Sequence, residues 1–367
     1  MTSSPIKPST PATIAVAACL LLAACGDRAD NGGDATKLWF TAGEQFQTVE
    51  RDSAGANAET GPAPAVRELL DGPTGAERAG DVATETLIPA QTSLERLDVG
   101  EDGTAVVKLS PEFTRGIPAE PAARSRDQRA ELDARVAQVT YTLTQFSQVR
   151  DARVVSGGTV VDPEVDRRDY AAPAQGPKPV VKPRGAKLPG TRQVQARLAK
   201  LAYLPRRAVD GVAGYQTQQG VIAFQAWSGL ERDGVVGPAT SAALATARRP
   251  KPRPGGPARR IEVYRDRGVT LLVEGGRTKR AIHVSSGAPG TPTPSGRYSV
   301  FRKELQSWSL PFQTWLPYAS YFNQGIAFHE YPDVPAYPAS HGCVRVPAPE
   351  APGVYDFAAL GTVVVVL

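Results

Sequence analysis

The chain has 367 residues, a formal net charge of +5 and ordinary apolar content. At roughly 100–200 residues per domain, that length predicts two or three packed domains. The many prolines and glycines add linkers, and no nucleic-acid-binding module is legible, which excludes that partner. Much of the charge excess sits in Arg248-Arg249-Pro250-Lys251-Pro252-Arg253, followed by Arg259 and Arg260. Interleaved prolines keep such a run extended as a solvated linker; contact with a polyanion is the alternative.

Lys7 is the lone early charge, and Ala12 to Ala24 form an apolar run. The run is shorter than the ~20 residues that span a bilayer and has the length of a secretory h-region. It ends in Leu22-Ala23-Ala24-Cys25-Gly26-Asp27, which resembles a bacterial lipobox. The resemblance implies a signal peptide over 1–24, a lipid on Cys25 and a polar tether over 25–36. It also implies an exported protein, anchored to the membrane and facing the cell wall or periplasm. Cys19 then leaves with the signal peptide, and Cys343 is the one free thiol in an oxidising compartment.

Residues 37–160 read as a mixed α/β domain. Lys37–Thr41 and Gln47–Glu50 are two short strands around a turn, and Ala65–Leu70 is a helix stopped by Asp71-Gly72-Pro73. Leu94–Val99 and Thr104–Leu109 form a hairpin across Gly100–Gly103. Leu132, Val136, Val139, Leu143 and Phe146 recur at helical spacing, and Ala152–Ser156 is a last strand. Leu69–Thr74, Leu87-Ile88-Pro89, Thr104–Ser110 and Thr140–Phe146 together resemble the GerMN domain of spore-germination and cell-envelope lipoproteins. The segment has no histidine or cysteine and shows no catalytic constellation. The resemblance implies an envelope-binding module.

Residues 161–190 are a proline-rich linker. Over 191–246, Val194, Leu198 and Leu201 mark one helix and Val221, Phe224 and Trp227 another. An Asp-Gly-x-x-Gly element occurs twice, at Asp210 and Asp233. Its aspartate caps a turn and its glycine takes the positive φ, so each copy starts a helix. Gln195-x-x-Leu198, Val209-Asp210-Gly211, Phe224-Gln225 and Asp233-Gly234-x-x-Gly237-x-x-Thr240 resemble the small three-helix peptidoglycan-binding domain. Ala202 stands where that family commonly has glycine. Asp210 and Asp233 are read as structural.

After a second linker over 247–258, residues 259–367 turn to strands: Ile261–Tyr264, Val269–Val273, Ala281–Gly287, Arg297–Phe301 and Thr362–Val366. The last is an apolar run of the kind buried on both faces. Few helices and alternating strands predict a mainly-β sandwich or barrel, so the whole chain is multidomain α+β. Within it, Ser340-His341-Gly342-Cys343-Val344-Arg345 places an imidazole two residues from the free thiol, and His329 lies one short loop upstream. A thiol needs such a neighbour to become a thiolate at neutral pH, which points to cysteine acyl transfer.

Val284-Ser285-Ser286-Gly287, Thr293-Pro294-Ser295-Gly296, Phe328-His329 and Ser340–Arg345, in that order, resemble the L,D-transpeptidase catalytic domain of the YkuD type. On the acyl-transfer template that this implies, Cys343 is the nucleophile and His329 the general base, its other ring nitrogen held by a backbone carbonyl or a neighbour. His341 shapes the turn and the substrate edge, a role shared with His329 staying open. Gly342 lets the N–H groups of Gly342 and Cys343 point at an oxyanion. Arg345 raises the thiolate fraction or grips a substrate carboxylate, and Ser340 supports the loop. Glu330 stands where the family often has glycine; it raises the imidazole pKa or faces solvent. His283 is read as structural, and the aromatic stretch Trp308–Tyr318 as cleft cover or packing. A zinc site of His329, His341 and Cys343 is the lesser alternative.

The implied reaction is cross-linking of peptidoglycan stem peptides through a thioester, with no cofactor or metal. Hydrolysis of the same acyl-enzyme, as an L,D-carboxypeptidase, and non-catalytic wall adhesion are the alternatives.

Overall fold

The computed structural model describes residues 35–52, 60–79, 84–180, 182, 185–187 and 190–367. The expected signal peptide, lipidated Cys25 and most of the tether lie outside the described residues.

The chain opens with a hairpin of β1 (Ala35–Ala42) and β2 (Gln45–Asp52), closed by Gly43-Glu44 and in register from Ala35↔Asp52 to Ala42↔Gln45. The short helices α1 (Pro62–Asp71) and α2 (Gly75–Ala79) follow. Gly72 and Pro73 stop α1 as the sequence predicts, since proline has no N–H to continue the ladder. β3 (Leu94–Val99) and β4 (Thr104–Leu109) pair antiparallel. α3 (Arg126–Leu143) then crosses over to β5 (Asp151–Ser156), which lies parallel to β4. Ser125 and Gln128 form a capping box at the start of α3, each side chain taking the other's orphan backbone N–H. The sheet runs one strand past the expected end, because β6 (Thr159–Val165) pairs back on β5. Leu38, Phe40, Val66, Leu69, Val107, Leu109, Val136, Val139 and Val154 fill the core under this sheet.

The linker then contributes β7 (Ala186–Lys187) to the next module, followed by α4 (Thr191–Lys200), β8 (Val212–Ala213), α5 (Tyr215–Ser228) and α6 (Pro238–Thr246). The two Asp-Gly turns are one device used twice. Asp210 Oδ1 accepts from Val212 N at 2.8 Å, and Asp233 Oδ1 from Val235 N at 2.8 Å. Gln195 and Gln225 each reach across from a helix to the aspartate, a backbone carbonyl, a threonine hydroxyl and the turn glycine N–H. Ala202, in the glycine-favouring position, has φ 73°.

The last module is two sheets face to face. β9 (Arg260–Tyr264), β10 (Val269–Glu274), β11 (Arg277–His283) and β12 (Gly296–Ser299) belong to the first. β13 (Arg302–Ser309), β14 (Thr314–Asn323), β15 (Ile326–Tyr331) and β16 (Val344–Pro347) make the second, in that order, with β15 and β16 parallel. α7 (Ala351–Phe357) precedes β17 (Val363–Val366), which enters the first sheet between β9 and β12. Ile261, Val263, Leu272, Ile282, Val364 and Val366 meet Phe322, Phe328, Val344 and Val346 in the shared core.

β17 buries only alternate residues, Val364 and Val366, so its apolar run does not mark burial on both faces. That situation falls to β10. Leu272 points into the sandwich, whereas Val269, Leu271 and Val273 pack on Leu198, Val221, Phe224 and Leu244 of the helical module.

Candidate functional site

The catalytic-type residues come together because β15 and β16 run parallel in register. His329 is opposite Arg345, so the two side chains leave the sheet on one face. The loop before β16 carries Cys343 and is tied from both sides by the upstream motifs. Ser285 and Arg345 exchange backbone hydrogen bonds of 3.1 and 2.8 Å, and Ala339 N and Ser340 N both donate to Ser286 O. Thr293 Oγ1 accepts from Gly287 N at 2.9 Å and donates to Gly342 O at 2.6 Å. Two motifs that are distant in sequence thus act as the splint of the cysteine loop.

His329 is buried, and its Nδ1 lies 2.8 Å from Glu330 O. A carbonyl only accepts, so Nδ1 donates to it, and Nε2 faces the other way, 3.7 Å from Glu44 Oε2. A ring nitrogen of His329, the Cys343 sulfur and a carboxylate oxygen of Glu44 lie within 4.8 Å of one another. The Glu330 side chain is on the opposite side of the strand from the imidazole, and burial raises its carboxyl above the ordinary range.

Ser340 donates to Cys343 O at 2.5 Å and accepts from Gly342 N at 3.1 Å. The second bond corrects the role given to Gly342. Its φ is 114°, but its N–H is spent on Ser340 and does not point at an oxyanion. His341 is half-buried, stacked on Phe312 with ring centroids 4.4 Å apart, and its proton affinity is lowered chiefly by the loss of solvent around the ring. His283 is far from this chemistry in role: its Nδ1 meets Gln219 Oε1 at 2.6 Å, where β11 docks on α5.

Arg345 is buried, with its guanidinium 3.9 Å from the centroid of Tyr331 and 3.5 Å from Asp127 of α3. Asp127 also accepts from Tyr331 Oη at 2.6 Å.

The residue that sequence reasoning missed is Glu44. It lies in the β1–β2 turn of the first module, yet its Oε2 is 3.7 Å from His329 Nε2. Burial alone raises the pKa of a carboxyl; His329, Arg345 and His341 outweigh it and hold Glu44 at about 2. Burial, and then the Glu44 charge, push the Cys343 thiol far above its ordinary value. Glu44, His329 and Cys343 are the set, among the described residues, close enough to share a metal ion, with Glu44 in the place that the sequence reading gave to His341. Only a Gly-Glu pair at a two-residue hairpin turn marked Glu44 in the sequence, and that pattern reads as an ordinary tight turn.

A cavity of about 600 Å³ lies elsewhere, lined among others by Lys178, Lys182, Tyr215, Gln306, Tyr318 and Glu330. Neither Cys343 nor His329 is part of its lining.

A parallel strand pair that brings a cysteine loop against a histidine defines a domain built around a Cys–His centre. Comparison with known proteins gives the family. The L,D-transpeptidase catalytic domain (YkuD) matches residues 258–366, the putative peptidoglycan binding domain 187–244, and the sporulation and spore germination domain (Germane) 36–162. The L,D-transpeptidase (residues 123–326) from Xylanimonas cellulosilytica is 36% identical, covering 53% of this chain and 100% of that one, with a TM-score of 0.45. The L,D-transpeptidase from Stackebrandtia nassauensis is 23% identical over 53% of this chain and 97% of its own, with a TM-score of 0.34. One from Mycobacterium smegmatis is 21% identical over 30% and 59%, with a TM-score of 0.29. No curated protein matches. The chain belongs to the L,D-transpeptidase family, a family of cell-wall enzymes, and carries a peptidoglycan-binding domain and a GerMN domain ahead of the catalytic one.

Proposed function

We propose that this protein cross-links peptidoglycan stem peptides through a thioester on Cys343. The observation that carries the reading is the Cys343–His329 pair, within 4.8 Å, with His329 Nδ1 tied to a carbonyl so that Nε2 is the ring atom left to exchange the thiol proton. The thiolate attacks the carbonyl of the peptide bond that precedes the donor's terminal D-alanine. That bond breaks, D-alanine leaves as the amine with the proton from His329, and the acyl group remains on sulfur. A side-chain amine of a neighbouring stem peptide then attacks the thioester, and its proton returns the thiol through His329. Arg345 orients a donor carboxylate, Ser340 and Gly342 hold the loop, and His341 borders the substrate. No cofactor or metal takes part.

The modules suit an insoluble substrate. We assign residues 37–160 and 191–246 to the envelope and wall, the segment 161–190 and the segment 247–258 to linkers, and 259–367 to catalysis. Export with a lipid on Cys25 would hold all three at the membrane, where tethering raises the effective concentration of weak binders.

The test is intact-mass measurement after exposure to a carbapenem, imipenem being the compound held in one solved L,D-transpeptidase. One adduct is expected on the wild type and none on Cys343→Ala; folded wild type without an adduct overturns the reading. Incubation with a disaccharide-tetrapeptide then separates transfer from hydrolysis, because cross-linked dimers mark the first and tripeptide alone the second.

A further inference from the structure

Cys343 is fully buried, packed among Leu316, Ala319, Tyr321 and Ala327 of its own module and approached by Glu44 of the first. The β1–β2 turn is seated against the cysteine loop and the β14–β15 turn, backbone to backbone. A Cβ on Gly325 would lie 1.8 Å from Ala42 O and 2.8 Å from Gln45 Cβ, both atoms of the hairpin. A Cβ on Gly43 would lie 2.8 Å from Gly325 O, and Gly43 Cα is the backbone neighbour, at 3.5 Å, of the Cβ position of Gly342. Three segments far apart in sequence approach this closely because each presents a glycine.

The seat is also hydrogen-bonded. Ser309 Oγ donates to Glu44 O at 2.5 Å, and Gln45 Nε2 donates to Tyr321 Oη at 3.2 Å and to Trp308 O at 3.4 Å. Ala327 N donates to the Cys343 sulfur at 3.3 Å, and the Glu44 carboxylate approaches it within 4.8 Å from the hairpin side. The β13–β14 hairpin closes over the top, with Phe312 packed on Leu87 and Ala134, beside Ala130 of α3. Trp308 Nε1 donates to Tyr170 O at 2.8 Å.

A nucleophile enclosed in this way cannot meet a peptide of the wall. The seated state is not a fully satisfied core either. Glu44 Oε1, His329 Nε2, His341 Nδ1 and two guanidinium nitrogens of Arg345 are buried with no hydrogen-bond partner among the described residues, an arrangement that penalises closure and favours exchange for a better-matched ligand. The carboxylate they surround is that of Glu44, held among groups suited to the carboxylate of a peptide.

We infer that the β1–β2 turn is an autoinhibitory plug: Gly43-Glu44 occupies the acyl-donor cleft, and a carboxylate-bearing donor peptide enters only when the first module lifts away. The inference rests on the acyl-transfer reading for what the cleft receives; the seating of the plug does not depend on it.

The test is alkylation of Cys343 by iodoacetamide in the full chain, followed on the Cys343 peptide by mass spectrometry, for wild type, Gly325→Ala and Ala130→Glu. A Cβ at position 325 meets the hairpin alone among its nearest atoms. A glutamate at position 130 wedges α3 off the Phe312 contact, and its negative charge opposes thiolate formation, so any acceleration there reads opening. Both variants should label at least about tenfold faster than wild type, as expected when a closed state is weakened. Hydrogen exchange should rise over residues 41–46 while β9–β11 and β14–β16 stay protected, which separates opening from unfolding. Wild-type labelling as fast as either variant, or no acceleration in both, overturns the plug. Carbapenem acylation is read on the same samples. Faster alkylation with faster acylation supports plug and chemistry together; faster alkylation with no acylation on any chain keeps the plug and removes the acyl-transfer reading.

Discussion

Gln195 and Gln225 offer the sharpest energetic test of the wall-binding module. Each is fully buried and replaces water for a whole turn. Gln195 Nε2 reaches Asp210 Oδ1, Val212 O and Thr217 Oγ1 at 2.9–3.0 Å, while its Oε1 accepts from Gly211 N at 2.7 Å. Gln225 does the same with Asp233 Oδ1, Val235 O, Thr240 Oγ1 and Gly234 N, at 2.6–3.1 Å. Truncation to alanine loses bonds worth about 1 kcal/mol each and strands a turn N–H, so the cost is about 3–5 kcal/mol. Because the two constellations are the same, Gln195→Ala and Gln225→Ala should cost the same within about 1 kcal/mol. Hydrogen exchange over residues 191–246 of the full chain reads this local stability directly. A loss under about 1 kcal/mol for either variant refutes the claim that the glutamine holds its turn. A gap above about 2 kcal/mol between the two refutes their equivalence.

Three further outcomes follow from the catalytic module. His329→Gln should slow carbapenem acylation by about 10²–10⁴, as loss of a general base does, while His341→Gln should slow it less, since that ring stacks on Phe312; single-turnover mass spectrometry ranks them, and the reverse order moves the base to His341. Burial, assisted by Arg232, lowers His283 from 6.5 to about 4, so the unfolded chain takes the proton first as pH falls. Stability is then complete above pH 6.5 and declines by about 3 kcal/mol on the way to about pH 4, and His283→Gln should flatten a urea-midpoint profile in that window. Ser340→Ala frees Gly342 N–H and unties the cysteine loop. Its acylation rate should fall with the fold unchanged by circular dichroism, and an unaltered rate would show that the loop needs no such tie.

The plug gives the modular order a physical meaning. A thiol held neutral by burial and by the Glu44 carboxylate is protected from oxidation. The same contact joins the first module to the Cys343–His329 pair.

What the sequence determined by itself is local. Helix stops such as Asp71-Gly72-Pro73, the paired Asp-Gly turns, the strand periods and the Ser340–Arg345 loop are written within a few residues of one another, and each carries its own geometry. The family motifs around Cys343 and His329 were legible for the same reason, and the geometry that joins them agrees with the order in which they occur. Only the tertiary structure decided which distant groups converge. It brought Glu44 to His329 and Asp127 to Arg345 from a segment with no chemical motif, and it turned the aromatic stretch at Trp308 into half of a closed lid. It also spent the Gly342 N–H on Ser340. Glycines at 43, 325 and 342 read as three separate turns until the fold stacks them, because a close approach between backbones is a property of two chain segments and is written in neither alone.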